Sequence, residues 1–196
     1  YTRESNPTRA YLEEIISSLE GAVDTVACSS GMAAITIVSE LFKSDDHIIC
    51  GSDLYGGSTR LFKLQEKKGL HFSYVDTTNL DTIKQAITKQ TKAIFIETPS
   101  NPTMQISDIQ AISQLCKEHH LLLIVDNTFL SPYFQNPLKL GADIVVHSAT
   151  KFLSGHNDVI AGTVSTHNEK LAQEIRNIAK TVGNTLAPID CYLLTR

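Results

Sequence analysis

Apolar and polar positions along this chain follow two periods that alternate with one another. Residues 8–20 carry Leu12, Ile15, Ile16 and Leu19 at helical spacing, and Gly21 supplies a stop. A second helix opens near Ser30-Gly31 and runs through MAAITIVSELF to about Lys43, followed by a short strand at His47–Cys50. Residues 56–68 read as a helix ended by Gly69, HFSYVD (71–76) as a strand, and Asn79–Lys89 as a helix. AIFIET (93–98) is a strand, and Ser107 caps a helix reaching His119, with Asp108 in its first turn. LLLIVD (121–126) and DIVVHS (143–148) are buried strands, VIAGTVST (159–166) is another, and a last helix covers roughly 168–180.

Strands that alternate with helices of this length imply a mostly parallel sheet with helices on both faces, an α/β fold. No repeat of 20–50 residues and no low-complexity linker divides the chain, so it reads as one domain over 1–183. The segment 184–196, with Pro188, reads as the start of a connection to a further domain outside this chain.

The chain has 196 residues, of which 42% are apolar, an ordinary proportion for a globular core. Its 17 basic and 21 acidic residues leave a net charge of −4, which gives no electrostatic footprint for nucleic acid. No apolar run approaches the roughly 18 residues of a membrane span. No secretory signal pattern is visible at the start, which is Tyr1 and not Met. Cys28, Cys50, Cys116 and Cys191 are widely spaced, with no Cys-x-x-Cys or zinc pattern. Free thiols fit a reducing, cytoplasmic setting.

Open parallel sheets bind ligands at the C-terminal ends of their strands, and polar residues follow the apolar runs here. Asp126 closes LLLIVD, and Ser148, Thr150 and Lys151 follow DIVVH. A desolvated lysine has a lowered pKa and suits Schiff-base chemistry, although a loop lysine is also compatible with this pattern. A carboxylate ending a buried run needs a partner, either a ligand cation or N–H groups of its own turn. Ser30-Gly31-Met32 opens a helix, where free N–H groups hold phosphate, or where serine simply caps. Tyr55, in DLYGGS, can stack on a flat ring or stand in a surface turn. Asn101 lies between two prolines that hold its loop extended, and its amide can face a ligand oxygen. His147 reads as a core histidine and His156 as either a site residue or a loop residue, neither with a catalytic role; no metal motif is present.

In order along the chain, YTRESNPT, SSGMAA, DLYGGS, ETPSNPT, VDNTF and HSATKFLSGHND together resemble the pyridoxal 5′-phosphate (PLP)-dependent enzymes of Cys/Met metabolism. These are the cystathionine γ-synthases, β- and γ-lyases and O-acetylhomoserine thiol transferases. The resemblance implies the large domain of the aspartate-aminotransferase type (fold type I), with a seven-stranded sheet. It implies that Lys151 forms the internal aldimine and shuttles the α-proton. It implies that Asp126 pairs with the pyridine nitrogen and that Tyr55 stacks over the ring and assists proton transfer. Gly31 and Met32 hold the phosphate with their N–H groups, Ser148 and Thr150 add hydroxyls, and Asn101 sits near the ring's 3-oxygen. Tyr1 and Arg3 reach the phosphate of a neighbouring subunit, which implies a homodimer completing the site and pairs forming a homotetramer.

The same resemblance implies an amino-acid substrate and β- or γ-elimination or replacement on cystathionine or a related sulfur amino acid, with cystathionine β-lyase or γ-synthase as the leading form and O-acetylhomoserine thiol transferase or cystathionine γ-lyase as the alternative. Family members are roughly twice as long, so the resemblance implies that an N-terminal arm and a small C-terminal domain lie outside this chain, the latter carrying the arginine that grips the substrate carboxylate. Methionine γ-lyases carry a cysteine where Gly57 stands here. A function of a different class, a non-catalytic phosphate- or nucleotide-binding module, also accounts for the sheet and the Ser30-Gly31 helix start.

Overall fold

The computed structural model describes residues 1–196. Helix α1 (Pro7–Glu20) begins where the Asn6 side chain accepts from the N–H groups of Thr8 and Arg9, and ends at Gly21, whose φ of 70° closes it. Strand β1 (Asp24–Cys28) follows at once, then α2 (Gly31–Ser39), β2 (His47–Gly51), α3 (Gly56–Glu66), β3 (His71–Val75), α4 (Leu80–Ala86) and β4 (Thr91–Glu97). The chain continues through α5 (Ile109–His119), β5 (Leu122–Asp126), α6 (Ser131–Phe134), a 3-10 turn at Pro137–Leu140, β6 (Ile144–His147), β7 (Gly162–Thr166), α7 (Glu169–Val182) and α8 (Pro188–Thr195).

Seven strands form one sheet in the order β1-β7-β6-β5-β4-β2-β3. Every pairing from β6 to β3 is parallel, while β7 runs antiparallel to both β1 and β6. Two antiparallel pairings in sequence leave β1 parallel to β6. The C-terminal ends of β1, β2, β4, β5 and β6 therefore open on one edge of the sheet. One face packs on α2, α3 and α7 through residues such as Ile35, Val38, Phe62 and Ile175. The other packs on α4 and α5 through Ile83, Ile109, Ile112 and Leu115. Helices α1 and α8 form a third cluster, in which Leu12 and Ile16 meet Cys191 and Leu194.

Several elements differ from the sequence reading. Strand β1 escaped it because DTVAC is short and begins only three residues after the α1 stop. Helix α2 ends at Ser39, where Leu41 and Phe42 turn back on Val38 and Ser39, and not near Lys43. Asp108, not Ser107, caps α5: its carboxylate accepts from Ala111 N–H at 3.0 Å, while the Ser107 hydroxyl is 2.7 Å from that of Thr77. The loop after β4 is not extended. Both Thr98–Pro99 and Asn101–Pro102 are cis, and the chain turns back so that Ser100 N–H donates to the Gln105 carbonyl. Leu19 is exposed, whereas Glu13 and Glu20 are buried. Glu13 accepts from Ala27 N–H at 2.9 Å and from Arg176, and Glu20 meets His147. These partners offset the cost of burying two carboxyls. Residues 184–196 pack on the same body through α8 and through a bridge from Thr185 to Cys28.

Candidate active site

A cavity of about 690 Å³ opens at the C-terminal edge of the sheet. Its wall includes Gly31, Met32, Tyr55, Asn101, Asp126, Ser148, Thr150 and Lys151, so eight of the ten site residues read from sequence meet there. Tyr1 and Arg3 do not. The Arg3 guanidinium donates to the Lys180 carbonyl at the end of α7 and lies over the Tyr1 ring, which is 85% exposed.

The start of α2 supplies donors. A helix leaves its first N–H groups without intrahelical partners. Here the Ser30 hydroxyl takes Ala33 N–H at 3.0 Å and the Ser30 carbonyl takes Ala34 N–H. The N–H groups of Gly31 and Met32 remain free at the cavity wall. Glycine is required there by close approach: a Cβ on Gly31 would stand 2.7 Å from Ser148 Cβ and 2.9 Å from its Cα. The antiparallel neighbour is equally tight, because a Cβ on Gly162 would lie 2.1 Å from the Ser30 carbonyl oxygen.

Strand β5 delivers Asp126, which is 9% exposed. Its Oδ1 accepts both the N–H and the hydroxyl of Thr128, at 3.0 and 2.6 Å, while Oδ2 has no partner in the protein. Burial raises the Asp126 pKa; the Thr128 bonds and His147 oppose that shift. Thr128 Oγ1 in turn accepts Ser148 N–H at 2.8 Å, tying β5 to the turn after β6. The Ser148 hydroxyl makes no bond within the protein, so its proton is available. The Thr150 hydroxyl differs, because it donates to the Ala161 carbonyl at 3.1 Å and accepts Ala161 N–H at 3.0 Å.

Lys151 lies four residues beyond β6, in a turn where its N–H donates to the Ser148 carbonyl. Its side chain is exposed and makes no ion pair, so the desolvated lysine expected from sequence is not what the fold presents. Phe129, Phe152 and Ile160 supply apolar wall. Tyr55 is about half exposed (48%), with its ring folded over Gly57: a Cβ there would meet Tyr55 Cε1 at 2.3 Å and Met32 Sδ at 2.9 Å.

Sequence reasoning passed over three residues. Glu97 ends β4 in register with Asp126, lines the cavity and accepts Tyr55 N–H at 2.8 Å. Desolvation, with Asp126 and Asp53 nearby, pushes its carboxyl up to about 8. Asp53 binds the loop that carries Asn101, and Thr128 orients Asp126. For Thr128 a signal existed, since a threonine two residues after an aspartate commonly closes a local turn. His147 is buried and pairs with Glu20, as a core histidine, and His156 is an exposed loop residue bonded to the Ser154 carbonyl. No group of three or more His, Cys, Asp or Glu residues is placed to hold a metal ion. All four cysteines are buried free thiols, and burial holds those of Cys28 and Cys116 at about 12.

A family model described as Cys/Met metabolism PLP-dependent enzyme matches residues 1–196. The chain belongs to this family. It is 52% identical over 197 residues to the cystathionine γ-synthase/O-acetylhomoserine (thiol)-lyase of Bacillus subtilis, covering all of this chain and 53% of that protein. It is 50% identical to a cystathionine β-lyase of Lactococcus lactis, again over the whole chain and 52% of that protein. It is 44% identical to human cystathionine γ-lyase, covering 49% of that protein. The chain thus spans about half the length of these relatives. Among solved structures, cystathionine γ-lyase from Lactobacillus plantarum complexed with L-serine superposes with a TM-score of 0.99 at 48% identity, covering all of this chain and 52% of that one. The family's cofactor is PLP, and the mostly parallel sheet covered on both faces is its type I fold.

The cavity of this family member fits that cofactor. It offers free N–H groups for a phosphate, an unpartnered oxygen on a buried aspartate, an unpaired lysine and a tyrosine ring.

Proposed function

We propose that the protein carrying this chain is a PLP-dependent carbon–sulfur lyase or synthase of the transsulfuration type, acting on cystathionine or a related sulfur amino acid, with cystathionine β-lyase or γ-synthase as the preferred form. The observation that carries this reading is that Asp126 and Lys151, 25 residues apart, share one cavity with the free N–H groups of α2. When bound, PLP supplies an aldehyde for the substrate amine and an electron sink for the α-carbon.

The residues divide the remaining work. Gly31 and Met32 hold the phosphate with backbone N–H groups, and the helix start favours its charge. Ser148 adds a hydroxyl donor. Thr150, whose proton is engaged by Ala161, serves the phosphate only by giving up that bond. Asp126 Oδ2, which has no partner in the protein, would hold the protonated ring nitrogen. The Tyr55 ring would stack against the cofactor, and Asn101 would offer its amide to it. Lys151 would be the point of covalent attachment, and its amine, once free, would take the substrate α-proton. Phe129, Phe152 and Ile160 give the cavity apolar surface for the substrate side chain.

Tyr1 and Arg3 stand outside the cavity, and we infer that they serve the phosphate of a second copy. That role requires a homodimer, and the family resemblance extends it to pairs assembling as a tetramer. Residues 1–183 then form the cofactor domain, and 184–196 lead towards a domain that supplies the grip on the substrate carboxylate. The free thiols support a cytoplasmic setting. No helix is long and apolar enough to cross a membrane.

The test is borohydride reduction of the protein incubated with PLP, followed by peptide mass analysis. The added mass is expected on Lys151 and absent from Lys151→Ala. Phosphate or PLP binding without trapping at Lys151 sinks the reading in favour of a non-catalytic phosphate-binding module. With cystathionine as substrate, pyruvate and homocysteine report β-elimination, and 2-oxobutyrate and cysteine report γ-elimination.

A further inference from the structure

We propose that Asp53 and Glu97 form a reciprocal carboxylate latch between two loops, acting as positioning residues that set where Tyr55 and Asn101 stand at the cavity. This rests on the cofactor reading above only for its consequence, since the latch is a property of the protein alone.

Strands β2 and β4 are neighbours in the sheet, and each runs out into a loop bearing one cavity residue. The loop after β2 carries Asp53 and Tyr55, and that after β4 carries Asn101. Each side commits a carboxylate to the other. Glu97, at the end of β4, accepts Tyr55 N–H at 2.8 Å. Asp53 Oδ2 accepts the Ser100 hydroxyl at 2.5 Å, Thr103 N–H at 3.2 Å and the Thr103 hydroxyl. Asn101 lies between the two anchored residues. The Ser100 hydroxyl also accepts Gln105 N–H at 2.9 Å, which closes the loop behind Asn101.

Tyr55 immediately precedes α3, where its carbonyl accepts Ser58 N–H at 2.9 Å, but no side chain caps that helix, so Glu97 is the side chain that holds the Tyr55 N–H. Its ring is half exposed, so the backbone sets where it stands. The charged and titratable groups that face Glu97 are Asp126 from β5, Asp53 and Tyr55 from the β2 loop, and Lys151 across the cavity. Next to Asp126 and away from water, Glu97 keeps its proton at neutral pH. In that form it still accepts Tyr55 N–H with one oxygen. Asp53 is the opposite case: hydroxyl donors from Ser100 and Thr103 hold it below the usual carboxylate range, as an anion.

Amide hydrogen exchange on the cofactor-free protein, read residue by residue, tests the latch. Glu97→Ala is expected to speed exchange at Tyr55, and Asp53→Ala at Thr103, but two separate bonds would do as much. The latch further requires the crossed effect. Asp53→Ala must speed Tyr55, and Glu97→Ala must speed Thr103, each by roughly tenfold, the scale of one net hydrogen bond. Glu97→Gln retains an acceptor and restores protection at Tyr55. In PLP-loaded protein both alanine variants reduce the circular dichroism of the cofactor's visible band. Unchanged exchange at Tyr55 in Asp53→Ala overturns the proposal. That outcome stands even if Glu97→Ala fails to fold, because Asp53 is only partly buried, in a loop. Failure of borohydride trapping at Lys151 in the unmodified protein overturns the cofactor reading instead, and leaves the exchange result standing.

Discussion

Glu97 and Asp126 end neighbouring parallel strands in register, so two buried carboxyls stand side by side in one cavity. Two like charges so placed cannot both ionise cheaply. Asp126 has the Thr128 hydroxyl and N–H to stabilise its charge, whereas Glu97 has one N–H donor, from Tyr55. The difference in donors decides which of them carries the charge.

This pairing predicts a pH dependence of stability. The Glu97 carboxyl is raised from 4.5 to about 8 in the folded protein. Below 4.5 the group is protonated whether or not the chain is folded, and it costs nothing. Between 4.5 and about 8 the unfolded chain releases a proton that the folded one retains, so stability falls as pH rises. Above about 8 the loss is complete. Glu97→Gln is neutral throughout and lacks this slope. Urea unfolding of cofactor-free protein across that window is expected to show the variant gaining on the parent as pH rises.

Lys151→Ala separates chemistry from stability. The side chain is exposed and unpaired, so its removal is expected to change unfolding free energy by no more than about 0.5 kcal/mol. Covalent trapping of PLP should be abolished in the same variant. Thermal denaturation of both cofactor-free forms, beside the borohydride experiment, checks the two halves.

Gly57→Ala displaces Tyr55. The new methyl would stand 2.3 Å from Tyr55 Cε1, and the half-exposed ring is free to swing away. The fold should survive and PLP should bind more weakly, by roughly tenfold, a stacking contribution of about 1 kcal/mol or slightly more. Equilibrium titration with PLP measures it.

Glu20→Ala should be the most damaging of these changes to the fold. Glu20 Oε1 and His147 Nε2 are 2.5 Å apart with both side chains buried. Removing one member of a buried pair strands the other at a cost of about 3 kcal/mol or more. The contact ties α1 to β6, four residues before Lys151, so PLP affinity should fall along with the unfolding midpoint.

Much of the site was legible in linear order. Asp126 and Lys151 follow apolar runs, and Ser30-Gly31 precedes a helical period; each signal lies within a few residues of the group it marks. Glu97 also ends an apolar run, yet its position in the chain alone gives it no role. Its importance comes from Tyr55, 42 residues away, and from Asp126 on the next strand. Asp53 is similar, bonded to residues 47 and 50 positions on. The exposure of Lys151 was equally hidden, because burial depends on what packs over a turn.

Hydrophobic periodicity determined the α/β class, the run of helices and strands, and the edge where polar residues gather. It does so because amphipathic burial is a local property of spacing. The six ordered motifs determined the family. Tertiary structure decided the antiparallel course of β7, the separation of Tyr1 and Arg3 from the cavity, the commitment of the Thr150 proton to Ala161, and the carboxylate contacts between loops. These depend on which backbone donors meet which side chains across the sheet, and residues far apart in the chain supply both partners.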